Sequence, residues 1–196
     1  MKTIIFGCGN LGKRYIESID KNLKMTLHLV DPVTNLDNID VTNKFKRFKN
    51  INCIDTDYDL CIIATCSDIR LSILKEIIGK TKNLILEKIL FQNKEDYQKA
   101  NDLIKKHNVK TWVHTPRRTW EFYKDMKKDK NLKLEVSGAN WGLACNAIHF
   151  LDLYKYLTGN KIKNLSFKNY GIKKSKRKGF YEVFGKLEGN NGSIII

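Results

Sequence analysis

The first residues with chemical meaning are Gly7, Gly9 and Gly12, in the pattern G-x-G-x-x-G within "KTIIFGCGNLGKRYIESID". A short apolar run precedes them, and Leu11, Tyr15, Ile16 and Ile19 follow at helical spacing. At such a strand-to-helix turn the first Gly permits the tight bend, the second lets backbone approach a pyrophosphate, and the third lets helix and strand pack closely. The helix N-terminus adds free N–H groups and a partial positive charge. The loop Gly7, Gly9, Asn10, Leu11 and Gly12 therefore reads as a dinucleotide-phosphate cradle, against the alternative of a glycine turn without ligand. Asp31, nineteen residues after Gly12, ends the next strand-like run. A carboxylate there accepts from both adenosine ribose hydroxyls and repels a 2′-phosphate, which favours NAD over NADP. Its other reading is a turn residue before Pro32.

A second constellation is Glu87-Lys88, at the end of the apolar run "NLILEKI". Ligands of open parallel sheets bind outside the carboxyl ends of strands. A Lys at such an end, desolvated or near another cation, can have its pKa lowered enough for proton transfer. A third is "GLACNAIHFLDLYKYLTG", an apolar helix whose residues Asn146, His149 and Tyr156 share one face, being three and seven apart. Either this stripe lines a substrate pocket while Ala147, Ile148, Leu151 and Tyr154 pack inward, or His149 is a core histidine satisfied by a backbone carbonyl. Arg117 and Arg118, after "WVHTP", reach a cofactor or anionic substrate, or are solvated. Trp112, Trp120 and Trp141 read as packing residues, with Trp141 beside Asn140 the one candidate for sugar stacking.

These residues need elements to carry them. "MTLHLVDP", "YDLCIIAT", "NLILEKI" and "VKTWVHT" read as strands, "YDLCIIAT" and "NLILEKI" as buried ones. Between the last three of these lie helical stripes, one with Leu71, Leu74, Ile77 and Ile78 capped by Ser67 or Asp68, the other capped by Asn93. This alternation predicts a parallel sheet with helices on both faces, a dinucleotide-binding domain over residues 1–118. Beyond it, a helix over Trp120–Lys128, a strand "LKLEVSG", the helix just described, and strands "NLSFKNYG" and "GFYEVFGKLEG" predict a smaller, incomplete α/β domain with a mixed sheet over 119–196. The ending "GSIII" reads as an unpaired apolar edge, with self-association as the consequence.

Composition bounds the rest. The 196 residues are 42% hydrophobic, enough for one large or two small cores. No apolar run approaches a membrane span and the N-terminus is not a signal peptide, so the expected compartment is the cytoplasm. Five cysteines without Cys-x-x-Cys spacing read as reduced thiols rather than disulfides or a metal site. The formal charge of +15 favours anionic partners, although Lys is overused throughout. A nucleic-acid role through "KKSKRKG" lacks aromatic–basic interleaving and is the weakest reading.

Four segments together resemble the glucose–fructose oxidoreductase/inositol dehydrogenase (Gfo/Idh/MocA) family: "IIFGCGNLGKRY", "CIIATCSDIR", "LILEKIL" and "GLACNAIHFLDLYKYLTG". They span nearly the whole chain, in the family's order. The resemblance implies a Rossmann domain followed by an α/β domain and NAD(P)-dependent hydride transfer on a sugar, cyclitol or derivative. It implies cofactor contacts for Gly7, Gly9, Gly12, Asp31, Thr65, Ser67 and Glu87, acid–base roles for Lys88 and His149, and a small sugar-like partner. Asn146, on the face of His149, and Arg118 read beside it as substrate contacts, and the apolar C-terminal end as a sheet completed by a second copy. Three positions depart from the pattern. Ile89 stands where the family has Pro, and a cis bond before Ile is costly; Cys66 replaces another Pro; Cys145 stands where many members carry Asp. A non-catalytic dinucleotide-binding protein is the alternative these departures support. The family's second domain is longer, so a short or truncated form is the expectation.

Overall fold

The computed structural model describes residues 1–35, 41–54, 56–126, 128–139, 141–175 and 179–196. Asn140 and residues 176–178 of the basic loop lie outside these. The chain forms two compact units, Met1–His114 and Thr115–Ile196.

In the first unit the strands are β1 (Lys2–Phe6), β2 (Thr26–Val30), β3 (Phe45–Phe48), β4 (Leu60–Ile63), β5 (Asn83–Leu86) and β6 (Lys110–Val113). They pair in the order β3-β2-β1-β4-β5-β6, and every pairing is parallel. Parallel neighbours need crossovers, which α1 (Asn10–Asn22), α2 (Arg70–Ile77) and α3 (Lys94–Lys106) supply. Strands β1, β2, β4 and β5 read as apolar runs because both faces are covered, whereas the edge strands β3 and β6 are largely exposed. Ile4, Phe6, Cys61, Ile63, Leu84 and Leu86 join Leu74 and Ile77 in one core layer. Ile5, Leu27, Leu29 and Ile62 join Ile16 and Ile19 in the other. This is the doubly wound, Rossmann-type sheet anticipated above. The strand order reverses between β1 and β4, the point where such sheets bind ligands.

Local details differ from the sequence reading. Strand β3, "FKRF", was not foreseen: it is an edge strand with one neighbour and two charged residues, so it carries no apolar run. The N-cap of α2 is Ile69 without a side-chain bond, rather than Ser67 or Asp68. Asp68 accepts from the next amide, Ile69 N–H, and Ser67 from Gln92. Asn93 caps α3 as expected, accepting from Asp96 N–H at 2.8 Å.

The second unit holds α4 (Glu121–Lys124), α5 (Leu143–Thr158) and a mixed sheet of β7 (Leu134–Glu135), β8 (Ser166–Lys174), β9 (Tyr181–Gly189) and β10 (Ile194–Ile195). Its order is β7-β10-β9-β8, with only β7 and β10 parallel. Helix α4 is one turn, shorter than the span read from the sequence. The larger correction concerns the terminal isoleucines. Strand β10 is not an unpaired edge but lies inside the sheet, between β7 and β9. Ile196 exchanges two backbone bonds of 2.8 Å with Leu187, and Ile194 and Ile196 pack with Leu143, Ala147 and Tyr154 of α5. Strand β9 lies just before it in the chain, but β7, which pairs on its other side, precedes α5, so the local pattern could not show that the strand is enclosed. The true edges are β7 and β8, and β8 exposes Phe167, Tyr170 and Ile172.

Ile194 is 1% exposed. Ile194→Ala should therefore lower unfolding free energy by about 2–5 kcal/mol, as for other core truncations. Urea denaturation followed by far-UV circular dichroism measures it, and a change within 0.5 kcal/mol, the size of about an ordinary surface substitution, would contradict the buried placement.

Candidate functional site

At the carboxyl end of β1 the three glycines do three different things. Gly7 has φ +83°, and a Cβ there would stand 3.0 Å from the backbone of Ala64 and Thr65, where β4 ends. A Cβ at Gly12 would stand 1.9 Å from the carbonyl oxygen of Gly7, so only Gly lets α1 begin this close to β1. Gly9 is the reverse case, with no atom within 4 Å of a Cβ. Helix α1 starts at Asn10 with no side-chain cap and no acidic residue in its first turn. Open space at Gly9, beside uncapped helix amides, fits a phosphate anion. The Thr65 hydroxyl next to this loop is buried and has no hydrogen-bond partner in the described structure.

Asp31 directly follows β2 and is tied to this loop. Its Oδ2 accepts from Cys8 N–H at 2.7 Å and from the Thr34 hydroxyl at 2.8 Å; its Oδ1 accepts from Val33 and Thr34 N–H at 2.8 and 2.9 Å. Burial works against its charge, but donation from the Thr34, Val33 and Cys8 amides outweighs it and holds the carboxyl below the usual range. Asp31 thus has both features read from the sequence, a turn cap and an acid at the glycine loop. Burial and the Asp31 charge push the Cys8 thiol up to about 12, so it stays protonated and unreactive.

Glu87 follows β5 and is 2% exposed. Its Oε1 receives the Tyr15 hydroxyl from α1, and His114 Nδ1, at the end of β6, stands 2.7 Å from the same oxygen. Burial alone would raise this carboxyl. Bonds from His114 and Tyr15, and the charges of His114 and Arg70, more than offset that and hold it low. The Tyr15 hydroxyl is raised, by burial first and Glu87 second. Lys88 is half-buried, and the Lys88–Ile89 peptide is cis. The sequence reading placed Glu87 at a cofactor; the structure shows a carboxylate engaged by protein donors. Tyr15, Arg70 and His114 were not foreseen. One signal was available for Arg70, which shares a helical face with Leu74 and Ile77, four and seven residues on.

In the second unit the helix stripe is more local than expected. The Asn146 amide donates to the carbonyls of Trp141 and Gly142, at the start of its own helix, leaving only Oδ1 for a ligand. His149 and Tyr156 are half-buried, and Ile148, read as inward, is 40% exposed. Cys145 Sγ donates to Glu182 at 3.3 Å. Arg118 forms a bidentate pair with Asp152, with Nε to Oδ2 at 2.7 Å, and Arg117 stacks over Phe150 and Trp120. These contacts are why Pro116–Thr119 belongs to the second unit. Trp112 and Trp120 are 53% and 48% exposed, not core residues, while Trp141 packs edge-on against Phe150. Among the described residues no helix is long and apolar enough to cross a membrane.

No protein-family model matches the chain, and no curated protein matches it. Solved structures do. Scyllo-inositol dehydrogenase from Lactobacillus casei, solved with NAD(H) and scyllo-inositol, superposes on the whole chain with TM-score 0.67 and 17% identity, 68% of its own length being covered. The WlbA dehydrogenase from Chromobacterium violaceum, solved with NADH and UDP-GlcNAcA, gives 0.72 and 13%, again over the whole chain and 65% of its own. UDP-N-acetylglucosamine 3-dehydrogenase GnnA from Acidithiobacillus ferrooxidans gives 0.69 and 12%, with 100% and 68% covered. The chain thus spans 65–68% of the length of these three and has the fold of the dehydrogenase group that its motifs resemble.

Because the Glu87 carboxyl is depressed in the folded state, its stabilisation is complete above the ordinary carboxyl value of 4.5 and fades as pH falls through the lower folded value. Glu87→Gln should cost about 1–3 kcal/mol at pH 7, in the range for a buried charge-assisted bond. Thermal melts of both proteins from pH 7 down to pH 3 should show the two curves converging below 4.5. A gap that stays constant would mean the carboxylate charge is not what the fold uses.

Proposed function

We propose that the chain is an oxidoreductase that uses a nicotinamide dinucleotide, NAD in preference to NADP, to interconvert alcohol and carbonyl in a sugar, cyclitol or sugar derivative. The observation that carries this reading is the cradle at Gly9: space for an anion, open helix amides, and a helix start that only Gly12 permits. The bound NAD(H), scyllo-inositol and UDP-GlcNAcA of the solved dehydrogenases support the cofactor class and the substrate class. The nicotinamide would supply or take the hydride. The chain's part is to hold the pyrophosphate at Gly7–Gly12 and to move the hydroxyl proton, which we assign to Lys88. Thr65 and Ser67 are proposed as further cofactor contacts, His149 as a second proton-handling residue, and Asn146 and Arg118 as substrate contacts. The charge of Asp31 disfavours a 2′-phosphate, even though protein donors occupy its oxygens.

NADH and NADPH titrations of wild type, Asp31→Asn and Lys88→Met, with turnover on a panel of inositols and UDP-sugars, test this reading. The wild type should bind NADH more tightly, and Asp31→Asn should shrink the preference by about tenfold, equivalent to 1.4 kcal/mol. The ratio is the informative quantity, because Asp31 also holds Cys8 and its loss disturbs both cofactors. Lys88→Met should keep NADH affinity and lose roughly 10²–10⁴-fold in turnover. NADPH bound more tightly by the wild type overturns the cofactor choice; NADH binding without turnover on any panel member points to a non-catalytic binder.

The exposed row Phe167, Tyr170 and Ile172 on β8 supports a further proposal, that two copies associate through this sheet. Sedimentation velocity should then show a dimer or larger for wild type and a monomer for Ile172→Lys. A wild-type monomer at tens of micromolar, about the range where weak dimers form, would refute it.

A further inference from the structure

Arg70 is the largest fully buried side chain among the described residues, 2% exposed, and it packs on the face of α2 that otherwise carries Leu74 and Ile77. A guanidinium leaves water at high cost unless its N–H groups find partners. Here four backbone carbonyls serve as partners. Nη1 donates to the carbonyls of Glu87 at 2.6 Å, Leu90 at 2.8 Å and Ile89, and Nη2 to that of Thr65 at 2.5 Å. Past β5 the backbone keeps one bond to each neighbour, Glu87 N–H to the Ile63 carbonyl at 3.2 Å and His114 N–H to the Leu86 carbonyl at 2.9 Å, and the carbonyls of 87–90 lie beyond both. Buried carbonyls in such a segment need donors. A planar fork with five N–H groups can serve several at once, which a lysine ammonium or an apolar side chain cannot.

We propose that Arg70 is a positioning residue for Lys88. It fastens the backbone on both sides of Lys88, at Glu87 and at Ile89, to the carbonyl of Thr65 just past β4, and so fixes where the Lys88 side chain leaves the main chain. The Glu87 side chain is held separately, by Tyr15 and His114. Arg70 therefore supplies the main-chain half of the anchorage and touches no reacting atom. This inference rests on the reading of Lys88 as the proton-handling residue.

The test uses the full chain as wild type, Arg70→Met, Arg70→Lys and Lys88→Met. Amide hydrogen exchange by mass spectrometry reads the backbone of 86–91 against that of β1. Competitive acetylation with acetic anhydride, with and without saturating NADH, reads the Lys88 amine. Fluorescence titration reads NADH affinity. Arg70→Met should quicken exchange in 86–91 by about tenfold or more and leave β1 unchanged, since local opening is independent of the global event. It should also change the Lys88 acetylation rate severalfold, on the order of threefold or more, while NADH affinity stays within about threefold. Arg70→Lys keeps the charge but reaches fewer carbonyls, so it should fall between the two. It carries the test if Arg70→Met does not fold. Exchange in 86–91 that matches wild type in the folded variants overturns the proposal, and so does a quickening spread evenly over β1. Lys88→Met tests the underlying reading on its own: retained turnover there removes Lys88 from the chemistry, whereas the exchange result still reports whether Arg70 holds the segment.

Discussion

A side chain at position 12 would put its Cβ 1.9 Å from the Gly7 carbonyl oxygen, and the lack of that atom lets α1 start against the end of β1. Much of the first unit follows from this approach. It aims the helix amides at the carboxyl end of the sheet, beside the point where strand order reverses. It brings Tyr15, three residues further along α1, to the carboxylate that follows β5. It leaves Gly9 facing open space. A larger residue at 12 would push the helix away and remove all three consequences together.

Two buried or half-buried acids then organise the strand ends, by the same physics with different donors. Asp31 is held by amides and one hydroxyl, all but Cys8 from its own turn. Glu87 is held by side chains from α1 and β6, with Arg70 adding its charge. In both, hydrogen bonding to the charged form outweighs the cost of desolvation. Glu87 and Lys88 are adjacent, but their situations differ: the acid is 2% exposed with Tyr15 and His114 both on its Oε1, and the lysine is half-buried. The pair therefore divides into an anchor and a residue that the anchor helps to place.

Periodicity and glycine spacing made β1, α1, β2, β4, β5, α3 and α5 legible, because each is a local pattern matched by a buried face; β6 was legible from its β-branched and aromatic residues, although it is an exposed edge strand. The glycine cradle was legible for the same reason: its three roles lie within six residues. Strand β3 was not, since an edge strand needs no apolar run. Strand β10 was seen as apolar but misplaced, because one neighbour, β7, is set by long-range pairing across α5. The partners of Glu87 were invisible for a related reason. Tyr15 lies 72 positions away, and the donor–acceptor distance depends on the packing of α1 against the whole sheet. Asn146 was read correctly as polar on an apolar helix, yet its amide turned out to serve the helix's own first carbonyls, a local use that helical spacing does not distinguish from a ligand contact.

Cofactor binding in this fold depends on the open space at Gly9 acting as a pyrophosphate cradle. The most direct measurement is a crystal structure of the chain grown with NAD(H). Diphosphate density is expected against the amides of Gly9–Gly12, with the adenosine ribose on the Asp31 side. Clear density for the dinucleotide elsewhere, or a Gly9 loop that stays empty at millimolar cofactor while a titration shows tight binding, would contradict it.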